Sequence, residues 1–558
     1  MEALTTEIAK KTLGEMLDRL AAEYPDREAL VHFDNKVRYT YSQLKERVDL
    51  LARGMMALGI ESGEHVSVWC TNYPQWVEAQ FALAKIGAAL VTVNIHYRTL
   101  ELEYLLDQSD SSTLIMMRGF RDANFVEMVN KICPELPSSK PGRLHSKRFP
   151  HLKRVIMLDE ERYPGMLNWD SLYQLGEEVS QAELEARQSQ VKPDDTVTLM
   201  YTSGTTGFPK GVMLSHMNIV ANGTYIGDCM KLTGEDRVCI PVPFFHCFGS
   251  VLGMMATMTH SGTMVVLDYF HAKSVLEAVS QERCTALHGV PTMFIAELHH
   301  PDFEKYDLTS LRTGIMAGSP CPIEVMRAVI DKMGMREITI AYGQTESSPV
   351  ITQTRTDDPV EVRVSTVGRA LPNVEVKIVD METGEDLPAG VQGELCTRGF
   401  HVMKGYYKKP EETAQAIDEQ GWLYTGDLAM MDEHGYFKIT GRLKDMIIRG
   451  GENIYPREIE EFLYAHPKVL DAQVIGIPSE KYGEEVMAWV ILKPGERATS
   501  EELIAYFRGR ISHFKVPKFI KFIDEFPMTA SGKIQKFKLQ ELAIAELGLE
   551  LAAKVETA

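Results

Sequence analysis

YTSGTTGFPKG, Tyr201–Gly211, packs three glycines, three threonines, a serine, a proline and a lysine into eleven residues. A P-loop places its lysine directly after glycine and opens a helix there. Here Phe208 and Pro209 separate Gly207 from Lys210, and the following GVMLSH alternates like a strand. Ser215 then has the character of a cap for a helix starting near Met217. With TVTLM ahead of it, the order is strand, loop, strand, helix. Gly204 and Gly207 let backbone N–H groups turn toward an anion, Ser203, Thr205 and Thr206 add hydroxyl donors, and Lys210 adds a point charge. GTTG alone would equally suit a plain polar turn; the full string with its lysine favours polyphosphate. Which phosphate is attacked does not follow from the loop.

Outward from the loop, the chain reads as α/β layers. Residues 40–59 form an amphipathic helix, with Thr40 and Gln43 at capping-box spacing, a stripe of Leu44, Val48, Leu51, Met55 and Leu58, and Gly59 as the stop. HVSVWC (65–70), a helix over 74–86 and AALVTVNI (88–95) give a strand–helix–strand unit, repeated by TMVVLDYF (263–270), a helix near 274–283 and TALHGV (285–290). That order implies parallel sheet. After about residue 360 the pattern changes to short runs between Gly and Pro, VEVKIVD (374–380), GELCTRG (393–399) and GYFKIT (435–440), which suggest an antiparallel or barrel-like part. The remaining stretch, with EIEEFLYAHP, DAQVIGIP, EEVMAWVILK and SEELIAYFRGRI, has its own apolar set and suits a small α+β domain.

Composition excludes several classes. A chain of 558 residues exceeds one ordinary core, so at least two domains are expected. The net charge of -19 argues against general nucleic-acid binding or attachment to an anionic membrane. Eight cysteines are scattered singly, without ligand spacing, which fits free thiols in a reducing cytoplasm. The first twenty residues lack the long apolar run of a secretory signal. FALAKIGAALVTV, from Phe81, is interrupted by Lys85 and falls short of the roughly 20 residues a membrane span needs. A cytoplasmic protein without integral membrane segments is the expectation.

Four further stretches follow the loop in order: AYGQTES (341–347), WLYTGDLAMMDEHGYFKITGRLKD (422–445), IIRGGENIYPREIE (447–460) and TASGKIQK (529–536). Together with the loop they resemble the core motifs of the adenylate-forming superfamily over nearly the whole chain. HGVPTMF, MAGSPCP, IIRGGENIYP and SGKIQKFKL look closest to medium-chain acyl-CoA synthetases of the "family member 2" type. The resemblance implies an α/β N-terminal domain of layered subdomains plus a barrel-like part, residues 1–442. A small mobile α+β domain follows, 443–558, with a hinge near Lys444. It implies ATP, Mg2+ and coenzyme A as cofactors and an apolar carboxylic acid as substrate.

The same resemblance implies roles. Thr202, Ser203, Gly204, Thr205, Thr206, Gly207 and Lys210 would hold the β- and γ-phosphates. Tyr342 would lie along the adenine with Gly318 and Ser319 beside it, and Gly343, Gln344 and Ile439 would join the nucleotide site. Thr345 would touch the α-phosphate and Glu346 would hold Mg2+, an ion that takes one or two carboxylates plus substrate phosphates. Asp427 would accept the ribose hydroxyls, with Arg442 contacting the ribose. Lys533 would stand between attacking carboxylate and α-phosphate, where a cation stabilises developing charge. Gly450, Gly451 and Lys515 would serve CoA; Lys518, Lys521, Lys536 and Lys538 are read as mostly solvated.

For the acyl pocket the resemblance implies His246, Phe248 and Gly249 of PFFHCFG, Val290 of the HGVP turn, and Met316 and Ala317. Acetate-specific relatives fill the position of Gly343 with tryptophan, so glycine implies an open pocket, and Gly343→Trp should favour shorter acids. Three rival readings remain: loading of a carrier protein, for which no carrier domain precedes Ala558; a luciferase-like oxygenase; and an ATP-binding sensor without turnover. A homodimer is the working expectation for assembly.

Overall fold

The computed structural model describes residues 10–202, 209–319, 321–449, 452–479, 482–507, 510–511, 513–529 and 532–549. Two large sheets carry the N-terminal part. In the first, parallel strands run in the spatial order Glu28–His32, Thr263–Val266, Arg237–Ile240, Ala286–Gly289, Thr313–Met316 and Glu337–Gly343. Antiparallel strands flank them, Val37–Thr40 on one side and Val350–Gln353 on the other. In the second, Thr196–Thr202, Ala89–Thr92, His65–Trp69, Ser111–Met116 and Arg154–Met157 are parallel neighbours. Lys210–Ser215 pairs antiparallel with Thr196–Thr202, and Thr202 faces Lys210 across the hairpin. The strands on either side of the opening loop are therefore antiparallel neighbours.

The parallel strands are covered on both faces, which is why they read as continuous apolar runs. Thr263–Val266 and Ala286–Gly289 are buried throughout. The first helix expected from the sequence forms as Tyr41–Ala57, with Thr40 accepting from Gln43 N and Gln43 returning the bond to Thr40 N. Leu44, Val48, Leu51 and Met55 lie buried, packed toward Pro74–Ile86 and Asp170–Gly176. Ser215 caps His216–Cys229 in the same reciprocal way.

A third sheet is wholly antiparallel: Val374–Val379, Gly393–Gly399, Leu423–Met431 and Phe437–Arg442. The C-terminal sheet joins Glu452–Ile454, Ile447–Arg449, Gly483–Leu492 and Val469–Ser479 antiparallel, with Phe519–Phe522 running parallel to Gly483–Leu492. Its two faces bury separate clusters, because alternate residues point to opposite sides. Val486, Ala488 and Val490 pack with Ile459, Leu463 and Phe507, whereas Met487 and Trp489 pack with Phe526, Leu539 and Ala543. The large core ends at Phe437 and these clusters begin at Ile447, with Lys444 in a one-turn 3-10 helix between. The strand Phe519–Phe522 and the helix Lys536–Leu547 escaped the sequence reading, the first because four residues carry no period, the second because its leading lysines look like a solvated tail.

Lys85 explains why FALAKIGAALVTV is not a membrane segment. Its side chain is 1% exposed and its ammonium lies 2.5 Å from both Asp18 and Asp49. Among the described residues no helix is long and apolar enough to cross a membrane. Removing one partner of a buried ion pair leaves uncompensated charge, typically at a cost of about 3–5 kcal/mol. Lys85→Met should cost about 3 kcal/mol, since Lys45 still reaches Asp49 at 2.5 Å. Urea unfolding measures this, and a loss below about 1 kcal/mol would mean that the network contributes no more than a surface pair.

Candidate functional site

The parallel strands of the first sheet end at one edge, where ligands of α/β folds bind. Three of those ends carry residues singled out above. Ala286–Gly289 leads to Val290, Thr313–Met316 leads through Ala317 to Gly318 and Ser319, and Glu337–Gly343 leads to the 3-10 turn Thr345–Ser347. Met316, Ala317 and Val290 are buried, and Ala317 N donates to Gly289 O at 3.3 Å. The edge is thus tied strand to strand.

Gly318 is the point of closest convergence. A β-carbon there would lie 3.1 Å from Val290 Cγ1, 3.8 Å from Phe248 Cδ1 and 3.9 Å from Lys533 Cε. Lys533 comes from the far end of the chain, on a turn closed by Thr529 N donating to Lys533 O at 2.7 Å and Lys533 N donating to Thr529 Oγ1 at 3.0 Å. Gly532 beside it abuts Val290, 2.7 Å from where a β-carbon would stand. Burial lowers the Lys533 pKa below the usual lysine range, the Arg442 charge works the same way, and Cys247, Asp427 and Glu346 oppose it.

The third sheet supplies the next group. Asp427 and Arg442 are cross-strand partners, and Arg442 Nε lies 2.7 Å from Asp427 Oδ1. Asp427 is 2% exposed and its Oδ2 accepts from Tyr342 OH at 2.8 Å. Burial, then the Asp427 charge, raises the Tyr342 phenol well above its ordinary range, so it stays a donor. Each carboxylate oxygen has two lone pairs, so Asp427 keeps acceptor capacity beyond these two contacts. Ile439 lies on the same Phe437–Arg442 strand, half-buried.

Glu346 belongs to a different set. Its Oε1 accepts from Tyr406 OH at 2.8 Å, and its carbonyl accepts from Met403 N at 2.9 Å. The Lys210 ammonium sits 4.8 Å above the centre of the Tyr406 ring. Gly405–Tyr406 pairs with Lys210–Ser215, so one short strand joins the exit of the loop to the acidic turn. Sequence reading missed Tyr406, because a two-residue strand carries no period and no motif.

Phe248 and Gly249 open the π-helix Phe248–Met255, and His246 lies two residues ahead of it. The His246 ring is driven down to a pKa of about 3 by burial and then by the Lys533 charge. It is neutral at ordinary pH, and because Nδ1 accepts from Phe248 N at 3.2 Å the ring proton sits on Nε2. Next to it, burial pushes the Cys247 thiol up to about 11, so this thiol within 3.8 Å of Thr345 Oγ1 is no nucleophile. A neutral histidine, a neutral thiol and one ammonium therefore surround the place where Lys533 arrives.

Gly343 requires a correction. A β-carbon there would fall 1.8 Å from Pro349 O, just ahead of the antiparallel strand Val350–Gln353. Any side chain at Gly343 would meet this backbone, so Gly343→Trp is not a clean test of chain length. The lysines of the C-terminal segment also look different in place. Lys515 pairs with Glu458 at 2.7 Å, Lys521 with Glu546 at 3.1 Å and Lys536 with Glu460 at 2.6 Å, while Lys518 stands 3.7 Å from Glu485. These pairs neutralise much of the basic stretch internally. Thr202 and Lys210 are placed as described, whereas Ser203, Gly204, Thr205, Thr206, Gly207, Gly450 and Gly451 lie outside the described residues.

The donor set suits Mg2+. One carboxylate, Glu346, with the Thr345 hydroxyl beside it, is what this hard cation takes when nucleotide phosphates complete its shell. Among the described residues no cluster of three or more His, Cys, Asp or Glu could hold a metal unaided.

Residues 17–407 match the family model described as AMP-binding enzyme, and residues 458–533 the one for the AMP-binding enzyme C-terminal domain. The protein YngI of Bacillus subtilis (strain 168), which bears an acyl-CoA synthetase name, is 56% identical over 97% of this chain and 99% of its own length. The mitochondrial medium-chain acyl-CoA ligase ACSF2 of Bos taurus is 44% identical over 97% of this chain and 89% of its own. Among solved structures, the anthranilate CoA ligase AuaEII in complex with anthranoyl-AMP superposes with a TM-score of 0.85 at 26% identity, covering 98% of this chain and all of that one.

Proposed function

The chain belongs to the AMP-binding enzyme family and is an AMP-forming acyl-CoA synthetase, and from that premise we propose that it activates an apolar, medium-sized carboxylic acid at the edge where Lys533, Gly318 and Val290 meet. The observation that carries this reading is the convergence itself. A single ammonium from the C-terminal segment reaches the ends of three parallel strands beside the neutral His246 and Cys247 side chains.

The acid lies with its apolar body against Phe248, Val290 and Met316 and its carboxylate toward Lys533 and the Nε2–H of His246. ATP spans the site, with the adenine and ribose by Gly318, Ser319, Tyr342, Ile439, Asp427 and Arg442. The α-phosphate lies by Thr345, and the β- and γ-phosphates lie in the Thr202–Lys210 loop. Lys533 bridges two anions as they approach, which stabilises the charge developing between carboxylate oxygen and α-phosphorus. Mg2+, held by Glu346, neutralises phosphate charge while bound. Pyrophosphate leaves from the loop, and the CoA thiolate then attacks the acyl carbon and expels AMP.

Thiol attack needs the space that Lys533 occupies. The unit 443–558 turns about Lys444 between the steps, exposing the Gly450–Gly451 segment toward the pantetheine arm. Lys444 stands in the one-turn 3-10 helix between the large core and the C-terminal clusters, which supports its reading as the hinge. One domain then serves two steps by hinge-type gating. The eight buried free thiols support a reducing, cytoplasmic setting, and a homodimer is the assembly to check by sedimentation.

The experiment is an acid panel with MgATP and CoA. Octanoate, hexanoate, cyclohexanecarboxylate and benzoate should give CoA thioesters, and acetate and malonate poor yields. A pocket of this kind discriminates by about 10–200-fold per methylene at most, so the profile should be broad. Preference for acetate or malonate over every apolar acid would contradict the proposal. A need for carrier protein in place of free CoA would favour the rival acceptor.

A further inference from the structure

Tyr406 links two groups that the reaction treats separately. Its hydroxyl donates to Glu346 Oε1 at 2.8 Å, and its ring lies 4.8 Å beneath the Lys210 ammonium. Its backbone N is held by Thr413 Oγ1 at 2.9 Å, and its strand is in register with the loop's exit strand, Val212 opposite Tyr406. We infer that Tyr406 is a positioning residue for the metal and the leaving group: it claims one oxygen of Glu346, turns the other toward the cation, and seats Lys210 over its ring. This rests on the reading of Glu346 as the metal ligand and Lys210 as a phosphate ligand.

The chemistry favours the arrangement. A carboxylate that meets Mg2+ through one oxygen gains from a donor on the other, which fixes its rotation, and loss of such outer partners typically costs 10–100-fold in metal affinity. An ammonium over an aromatic face is attracted by the ring's electron-rich face, which also restricts its position. The hydroxyl serves the metal and the ring serves the phosphates.

Those two parts separate by substitution. Calorimetric binding of α,β-methylene-ATP, which cannot release pyrophosphate, is compared with and without Mg2+. In Y406F the metal-free affinity should match the unaltered protein, while the tightening brought by Mg2+ should shrink about 10-fold. In Y406L the metal-free affinity should also fall, because the ring beneath Lys210 is gone. E346Q is the control and should abolish the tightening. Full Mg2+ tightening in Y406F, with E346Q defective, would overturn the role of Tyr406 and leave that of Glu346 intact. If E346Q itself kept the tightening, the assignment of Glu346 would fall and this inference with it.

Discussion

Lys533→Ala should slow acyl-adenylate formation about 1000-fold, while thioester formation from supplied acyl-AMP proceeds within a few-fold of the unaltered rate. Loss of one preorganised donor aimed at developing charge costs about 100–1000-fold. The upper end applies because the neighbouring His246 and Cys247 carry no positive charge and the nearby Arg442 is held by Asp427. On the proposed reading the second step does not use the ammonium, which leaves before the thiol enters. ATP–pyrophosphate exchange reads the first step and release of CoA thioester reads the second. An equal loss in both, in a mutant that melts like the parent, would contradict the separation of roles. The protonation state adds a check. Because burial depresses the Lys533 pKa, the cation is lost at lower pH than for an ordinary lysine. Adenylation should therefore decline as pH rises toward the usual lysine range, and the second step should not share that limb.

Gly343→Ala should be the most damaging single-methyl change in the site. The added carbon would meet Pro349 O at 1.8 Å, with Pro349 C and Ile351 N at 2.9 and 3.0 Å. Backbone cannot yield as a flexible side chain does, so the strand or the turn after it must move. Overpacking typically costs about 1–3 kcal/mol, occasionally more, and about 3 kcal/mol is expected here. Gln344, Thr345 and Glu346 follow directly, and misplacement by about 1 Å can cost 100-fold in rate. Chemical denaturation and pyrophosphate exchange measure the two effects. A variant with parental stability and activity would show that the hairpin has slack that the structure does not display.

The parts of the molecule that were legible in the sequence share one property: their signal is local. Thr40 and Gln43 form their capping box because the spacing alone dictates it, and the buried strand Thr263–Val266 reads as an apolar run because both of its faces are covered. Pro74–Ile86 matches its expected bounds, since proline at the first turn and Gly87 after the last fix both ends. The loop Tyr201–Gly211 was recognisable by composition, yet what its exit strand touches was not, for Tyr406 lies nearly two hundred residues away in sequence and pairs through a two-residue strand. Gly343 was misjudged for the same reason: the atom that forbids a side chain belongs to Pro349, just ahead of a strand whose approach no spacing rule encodes. The ion pairs of Lys515, Lys521 and Lys536 were not legible because their acidic partners, Glu458, Glu546 and Glu460, come from elsewhere in the fold, whereas Lys518 is exposed as read.

The central claim is that the acid attacks the α-phosphate and that CoA then displaces AMP from the acyl carbon. Carboxylate-18O octanoate, incubated with MgATP, CoA and the purified protein, follows the oxygen through both steps. One labelled oxygen should appear in AMP and the other should stay in octanoyl-CoA, because the bond broken by the thiol is the acyl C–O bond. Unlabelled AMP, or label delivered to inorganic phosphate with ADP as the nucleotide product, would contradict the account.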